Sequence, residues 1–127
     1  MEFRDSQAIY LQIADLVCEN ILLGKWKAND KILSIRDLAV ELEVNPNTVM
    51  RSYEHLQGKG IIFQKRGIGY FASEDSTEKI VAVRRDEFLA NELPVLFRNL
   101  YLLKIDIPEL AKRFEVFKQH NFEELTH

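Results

Sequence analysis

Few side chains in this sequence are arranged to make or break bonds. The three histidines, His55, His120 and His127, lie far apart, and the single cysteine, Cys18, has no evident base beside it. No cluster has metal-ligand spacing, and Arg66-Gly67-Ile68-Gly69 lacks the strand-to-helix setting of a phosphate-binding glycine loop. The chain does carry a row of hydrogen-bonding side chains at helical spacing. Asn47, Arg51 and His55 recur every fourth residue with Thr48 at their margin, so a helix here presents them on one face. An amide can bond an adenine edge bidentately, a guanidinium can do the same to guanine, and a threonine can touch a thymine methyl or bond a phosphate. Such a face suits recognition of a nucleic acid rather than catalysis. The expectation is a protein that is not an enzyme and needs no cofactor or metal.

The surrounding elements must hold that face in place. Asn45 stands directly before Pro46, a capping residue ahead of a proline at the first helical position, and the helix should run from Pro46 to about Lys59, ended by Gly60. Val49, Tyr53 and Leu56 point inward on it, which makes Tyr53 a core residue rather than a stacking platform. Upstream, Ser34-Ile35-Arg36-Asp37 resembles a capping box opening a short helix with Leu38, Ala39 and Leu42 on its apolar side. Only Glu43-Val44-Asn45 joins the two helices, the arrangement of a helix-turn-helix. A first helix is expected from Asp5 or Ser6 to Leu23, with Gly24 as its left-handed cap. Ile9, Ile13, Leu16, Val17 and Ile21 form its apolar side, Gln12, Asp15 and Glu19 its polar stripe, and Cys18 is a small packing residue. Lys25 to Leu33, with Trp26 and the turn-like Ala28-Asn29-Asp30, is a short connection with room for one strand. After Gly60 the period changes. Ile61–Lys65 and Tyr70–Ser73 are rich in β-branched and aromatic residues and flank Arg66-Gly67-Ile68-Gly69, which predicts a basic hairpin, or wing.

Composition and charge narrow the class. With 127 residues, 46% hydrophobic and 29% charged, the chain has the make-up of a soluble globular protein. One cysteine excludes an intrachain disulfide and fits the cytoplasm. No apolar run approaches the roughly 18 residues of a membrane span, and the N-terminus lacks the pattern of a signal peptide. The net charge of −3 argues against nucleic acid until its distribution is considered. Residues 1–73 hold nine Lys/Arg and nine Asp/Glu, and within 44–73 Arg51, Lys59, Lys65 and Arg66 face only Glu54. The acidic excess lies in the second half, and screening limits exposed charges to about 10 Å.

The polar run Ser73-Glu74-Asp75-Ser76-Thr77-Glu78 divides the chain into a winged helix over 1–73 and a helical region over 74–127. A helix from Asp75 or Ser76 carries Ile80, Val81, Val83, Phe88, Leu89 and Leu93, and Pro94 should kink or break it. Asp106 caps a last helix with Ile107, Leu110, Ala111, Phe114 and Phe117 in one stripe. Two helices cannot enclose this much apolar surface, so a partner is implied, and a symmetric dimer is the economical one. Phe88, Leu96, Phe97, Leu100, Leu110, Phe114 and Phe117 are the expected pairing residues. The rival arrangement folds the tail back onto its own winged helix. The fold class is therefore mainly α with a small β-hairpin: a winged helix-turn-helix followed by a two-helix dimerisation tail.

Three stretches resemble the GntR family of bacterial regulators. They are Ile32-Leu33-Ser34-Ile35-Arg36-Asp37-Leu38-Ala39, then Val44-Asn45-Pro46-Asn47-Thr48-Val49-Met50-Arg51-Ser52-Tyr53, then Leu56 through Ile62 with Arg66-Gly67-Ile68-Gly69-Tyr70-Phe71. The Asn-Pro-Asn-Thr-Val wording and the short tail resemble the YtrA-type subfamily. The likeness covers about residues 8–73, and two positions depart from it: Leu33 replaces a common proline and Glu43 a common glycine. The resemblance implies a DNA-binding role for Arg36, Asn47, Thr48 and Arg51, and for Lys65, Arg66 and Gly69 on the wing. Ser34, Asn45, His55 and Gly67 complete the expected DNA-facing set. It further implies a homodimeric repressor on a palindromic double-stranded DNA operator. For Arg36 the competing reading is a surface pair with Asp37 or Glu41. Two other functions stay open: a winged helix used only for protein contact, and a regulator gated by a small ligand at the dimer interface, since 74–127 is too short for a separate effector domain.

Overall fold

The helix ends follow local capping chemistry. In the computed structural model, which describes Phe3 and residues 7–120, the first helix is α1 (Ile9–Leu22). Past its end the Gly24 N–H donates to Ile21 O at 3.1 Å and the Lys25 N–H to Asn20 O at 2.9 Å, the paired closure that left-handed caps make. The helix opens later than the expected start at Asp5 or Ser6, which lie outside the described residues, because Ala8 stands at ψ 141°, outside the helical region, as the residue before its first turn. Helix α2 (Ile35–Leu42) opens where the Ser34 Oγ accepts the Asp37 N–H at 3.0 Å. Helix α3 (Pro46–Gly58) opens where the Asn45 Oδ1 accepts the Asn47 N–H at 2.8 Å, with Pro46 in its first turn. The turn between them closes on Glu43, held at φ +56°, while the Val44 N–H returns to Ala39 O at 3.0 Å. A side chain in that left-handed region costs about 1–2 kcal/mol, which a glycine would avoid.

Strands β1 (Ile62–Lys65) and β2 (Gly69–Ala72) pair antiparallel, with Phe63 opposite Phe71 and Lys65 opposite Gly69. Their connection turns on an Ile68 N–H to Lys65 O bond of 2.9 Å, with Gly67 at φ +77°, a value that only glycine adopts without strain in such a turn. The connection before α2 forms no strand of its own, only an isolated bridge in which Lys31 pairs with Phe71 of β2. Asn29 N–H donates to Ala72 O at 2.8 Å, Ala72 N–H to Asp30 O at 2.9 Å and Ile32 N–H to Tyr70 O at 2.9 Å. One face of the hairpin, with Ile62 and Ala72, joins the core; Phe63, Lys65 and Phe71 lie on the other.

The core gathers Ile13, Val17 and Ile21 of α1, Ile32 of the connection, Leu38 and Ala39 of α2, Val49, Tyr53 and Leu56 of α3, and Ile61, Ile62, Ala72 and Ile80. Two assignments on α1 differ from its helical pattern. Gln12, expected on the polar stripe, is buried, with its amide donating to Gln7 O at 2.7 Å, and Ile9, expected on the apolar side, is exposed at the helix start. Helix α1 is covered on a wider arc than its apolar stripe because it packs across α3. Burial pushes the Cys18 thiol up, away from thiolate, as suits a packing residue.

Beyond Ser73, α4 (Ser76–Glu87) leads through a π-helical turn, Phe88–Glu92, into α5 (Leu93–Leu102); α6 (Ile107–Lys118) follows. Pro94 has no N–H for the carbonyl of Ala90. The ladder widens just before it, with the Leu93 N–H reaching back five residues to Phe88 O. This is the interruption expected at Pro94. Asp106 caps α6 by accepting the Glu109 N–H at 2.9 Å. The chain forms two compact units, Met1–Arg84 and Arg85–His127. The division falls inside α4 rather than at the polar run, because Ile80 is buried in the first core.

Candidate nucleic-acid interface

Helix α3 is the second helix of the helix-turn-helix, and its inner side is fixed first. Tyr53 is buried, donates its hydroxyl to Leu33 O at 2.6 Å and meets Tyr70 edge-on at a centroid distance of 4.9 Å. Burial, and less strongly Tyr70, raises its pKa well above the ordinary phenol value, so it stays neutral and structural. Ser52 is also buried, and its hydroxyl lies 2.7 Å from Tyr10 O and 3.1 Å from Thr48 O, bonding α3 to α1. With this side locked, Asn47, Arg51 and His55 take the opposite one, Thr48 at its edge. The first-turn donors are already used: Pro46 has none, the Asn47 N–H is held by the Asn45 side chain, and the Thr48 N–H bonds Asn45 O at 2.9 Å. At this end of α3 the donors left to offer are on side chains. Asn45 and Ser34, both in the expected DNA-facing set, spend an oxygen on capping; the Asn45 amide nitrogen keeps its donors.

The cations around this face are unpaired. Arg36 is exposed in the first turn of α2, and its competing reading, a bond to Asp37 or Glu41, does not occur. Among the described residues Arg51, Lys65, Arg66 and Lys31 likewise make no ion pair, whereas Lys79–Asp75, Arg84–Asp15, Arg113–Glu109 and Lys118–Glu115 do. An unpaired cation can neutralise a phosphate without first giving up a carboxylate. Arg51 instead lies on an aromatic ring, with its guanidinium carbon 4.1 Å from the centroid of Tyr10. The same ring meets His55 edge-on at 6.1 Å. On the wing, Phe63 and Phe71 stack with centroids 5.5 Å apart, and the Lys65 ammonium sits 4.7 Å from the Phe71 centroid. Gly69 is favoured by its backbone, at φ +144°, and the end of the Lys31 side chain lies over it, Cε 2.8 Å from where a Cβ would stand.

Tyr10 and Lys31 were not among the residues that the sequence singled out. For Tyr10 a signal existed: it shares a stripe with Ala14, Val17 and Ile21, at the end where that stripe leaves the core. Lys31 had none, because its place follows from pairing with Phe71, forty residues on. On the tail, Phe88, Phe97, Phe114 and Phe117 are exposed, Leu96 and Leu110 half-buried, and Leu100 buried. Among the described residues no group of three or more His, Cys, Asp or Glu could hold a metal, and no helix is long and apolar enough to cross a membrane.

Three helices closed by a hairpin, with unpaired cations on α2, α3 and the wing, define a winged helix-turn-helix DNA-binding transcription regulator. The model of the bacterial regulatory proteins of the gntR family matches residues 9–71. The HTH-type transcriptional regulator YhcF of Bacillus subtilis (strain 168) is 30% identical over 118 residues, which span 93% of this chain and 96% of YhcF. The HTH-type transcriptional repressor YtrA of the same organism is 41% identical over 78 residues, 61% of this chain and 60% of YtrA. The crystal structure of a GntR-family transcriptional regulator from Bacteroides thetaiotaomicron is 46% identical, covers 88% of this chain and 97% of that one, and superposes with a TM-score of 0.65. The chain belongs to the GntR family, with YtrA-type members among its relatives.

Proposed function

We propose that the protein is a cytoplasmic, homodimeric repressor that binds a palindromic operator, one winged helix per half-site, and pairs through its C-terminal helices. The observation that carries this reading is the contrast between the two parts of the chain. Arg36, Arg51, Lys65, Arg66 and Lys31 form a small set of free cations, too few for one protomer to bind tightly at physiological salt. The Arg85–His127 unit exposes Phe88, Leu89, Val95, Phe97, Tyr101, Leu102, Leu103, Ile107, Phe114 and Val116 to solvent. Apolar surface of that extent marks a protein contact, and a second copy is the partner that also doubles the DNA contacts. The sign of regulation follows the name of YtrA as a repressor. No effector is assigned; a ligand that gated binding would occupy the pairing surface.

Selection of bound sequences from a random DNA pool, with light scattering on the unbound protein, tests the proposal. A palindromic motif and a dimeric mass are expected. A non-repeated motif or a monomer at operator-binding concentration removes the dimeric mechanism, and no enriched motif favours a winged helix used for protein contact.

A further inference from the structure

We propose that Tyr10 is the positioning residue of the readout face, holding Arg51 in a defined orientation for base recognition; this rests on the reading that α3 faces DNA. Arginine is long, and an exposed one samples many rotamers, all but one of which must be given up on binding. Here the Arg51 guanidinium carbon lies 4.1 Å from the Tyr10 centroid. A cation–π contact of this kind engages the ring through the charge of the guanidinium and needs no N–H to be given to a carboxylate or carbonyl acceptor. The ring therefore orients the donor fork without consuming it. No carboxylate among the described residues competes for that fork.

The platform is itself fixed. The carbonyl of Tyr10 accepts the hydroxyl of fully buried Ser52 at 2.7 Å, and Ser52 directly follows Arg51 on α3. The helix bearing the ring and the helix bearing the arginine are thus registered within one residue of the stack. His55, one turn beyond Arg51, meets the same ring at a centroid distance of 6.1 Å and an interplanar angle of 81°. Tyr10 so braces two side chains of the readout face from outside α3.

The test uses the full chain with Tyr10→Leu, Tyr10→Phe and Arg51→Ala, each alone, and Tyr10→Leu combined with Arg51→Ala. Affinity is measured on the preferred DNA site and on a site altered at the base pair whose preference Arg51→Ala relaxes. Tyr10→Leu is expected to weaken the preferred site roughly three- to tenfold, the scale of a lost cation–π contact and a newly disordered side chain, and to spare the altered site. Tyr10→Phe should bind as the unaltered chain does, and Tyr10→Leu should add nothing once Arg51 is Ala. In the unaltered free protein, the Arg51 side-chain NMR signal should be shifted by the ring current, a readout that requires no variant to fold. Equal losses on both sites, additivity with Arg51→Ala, a Tyr10→Phe as weak as Tyr10→Leu, or an unshifted Arg51 signal would overturn the proposal. If Arg51→Ala binds all DNA as tightly as the unaltered chain, the readout role of α3 falls, and the role of Tyr10 with it.

Discussion

Arg36 and Arg51 carry the heaviest expectation of any single residues. Both are exposed, and neither has an ion pair among the described residues, so each can approach a guanine edge with its donors intact. Arg36→Ala or Arg51→Ala should cost about 1–3 kcal/mol on the preferred site and relax preference at one base pair. Weakening that is equal on every sequence would assign the side chain to phosphate, and no loss on any DNA would remove it from the interface. Glu43 makes a separate prediction about stability. Held at φ +56°, it carries a left-handed penalty that glycine avoids, partly offset by the extra freedom glycine has when unfolded. Glu43→Gly should therefore raise unfolding stability by roughly 0.5–1 kcal/mol, measured by denaturant titration. A destabilised variant would show that the Glu43 side chain makes a compensating contact.

At the scale of elements, the wing is a short hairpin whose cations are held by packing. Lys65 lies on the stacked Phe63–Phe71 pair, Lys31 crosses Gly69, and Arg66 sits in the turn. Substituting Lys31, Lys65 and Arg66 together by Ala should lower DNA affinity and flatten the slope of log affinity against log salt by about 0.9 for each phosphate contact removed. An unchanged slope would mean that the wing does not touch DNA. Most of this architecture is legible in the sequence. Ser34, Asn45-Pro46 and Asp106 start helices as their types require, and Gly24 and Gly60 stand just past helix ends. Pro94 marks the π-helical interruption in the tail. The bridge at Lys31 was less so, because the segment before α2 has no strand pattern of its own and is held against β2 only by bonds to residues some forty positions on.

At the scale of the whole molecule, the two compact units make different predictions. Ile80 is buried with the first core, so a chain ending at Asp75 loses a core side chain worth about 1.5–3 kcal/mol and should melt lower than one ending at Arg84. The chain ending at Arg84 is expected to stay folded but to be monomeric, binding a full palindrome little better than one half-site. Paired protomers with recognition helices about 34 Å apart would engage both half-sites at once, and tethering of this kind raises affinity by roughly 10²–10⁴. Light scattering and titrations with whole and half operators check both statements. A dimer that survives truncation at Arg84 would place the pairing surface elsewhere.

The sequence by itself determined where helices begin and end, which face of α3 is turned outward, and that a basic hairpin follows it. These signals act between residues a few positions apart: a cap bonds within its own turn, and a helical period repeats every 3.6 residues. Tertiary structure decided which neighbour each face meets. Tyr10 reaches Arg51, Ser52 bonds the Tyr10 carbonyl, Lys31 lies over Gly69, Gln12 is buried, and Ile80 joins the first core. Each joins parts of the chain distant in sequence or depends on how one element is set against another. Periodicity specifies that a face is covered or open, but the angle at which helices and hairpin close on one another specifies what covers it.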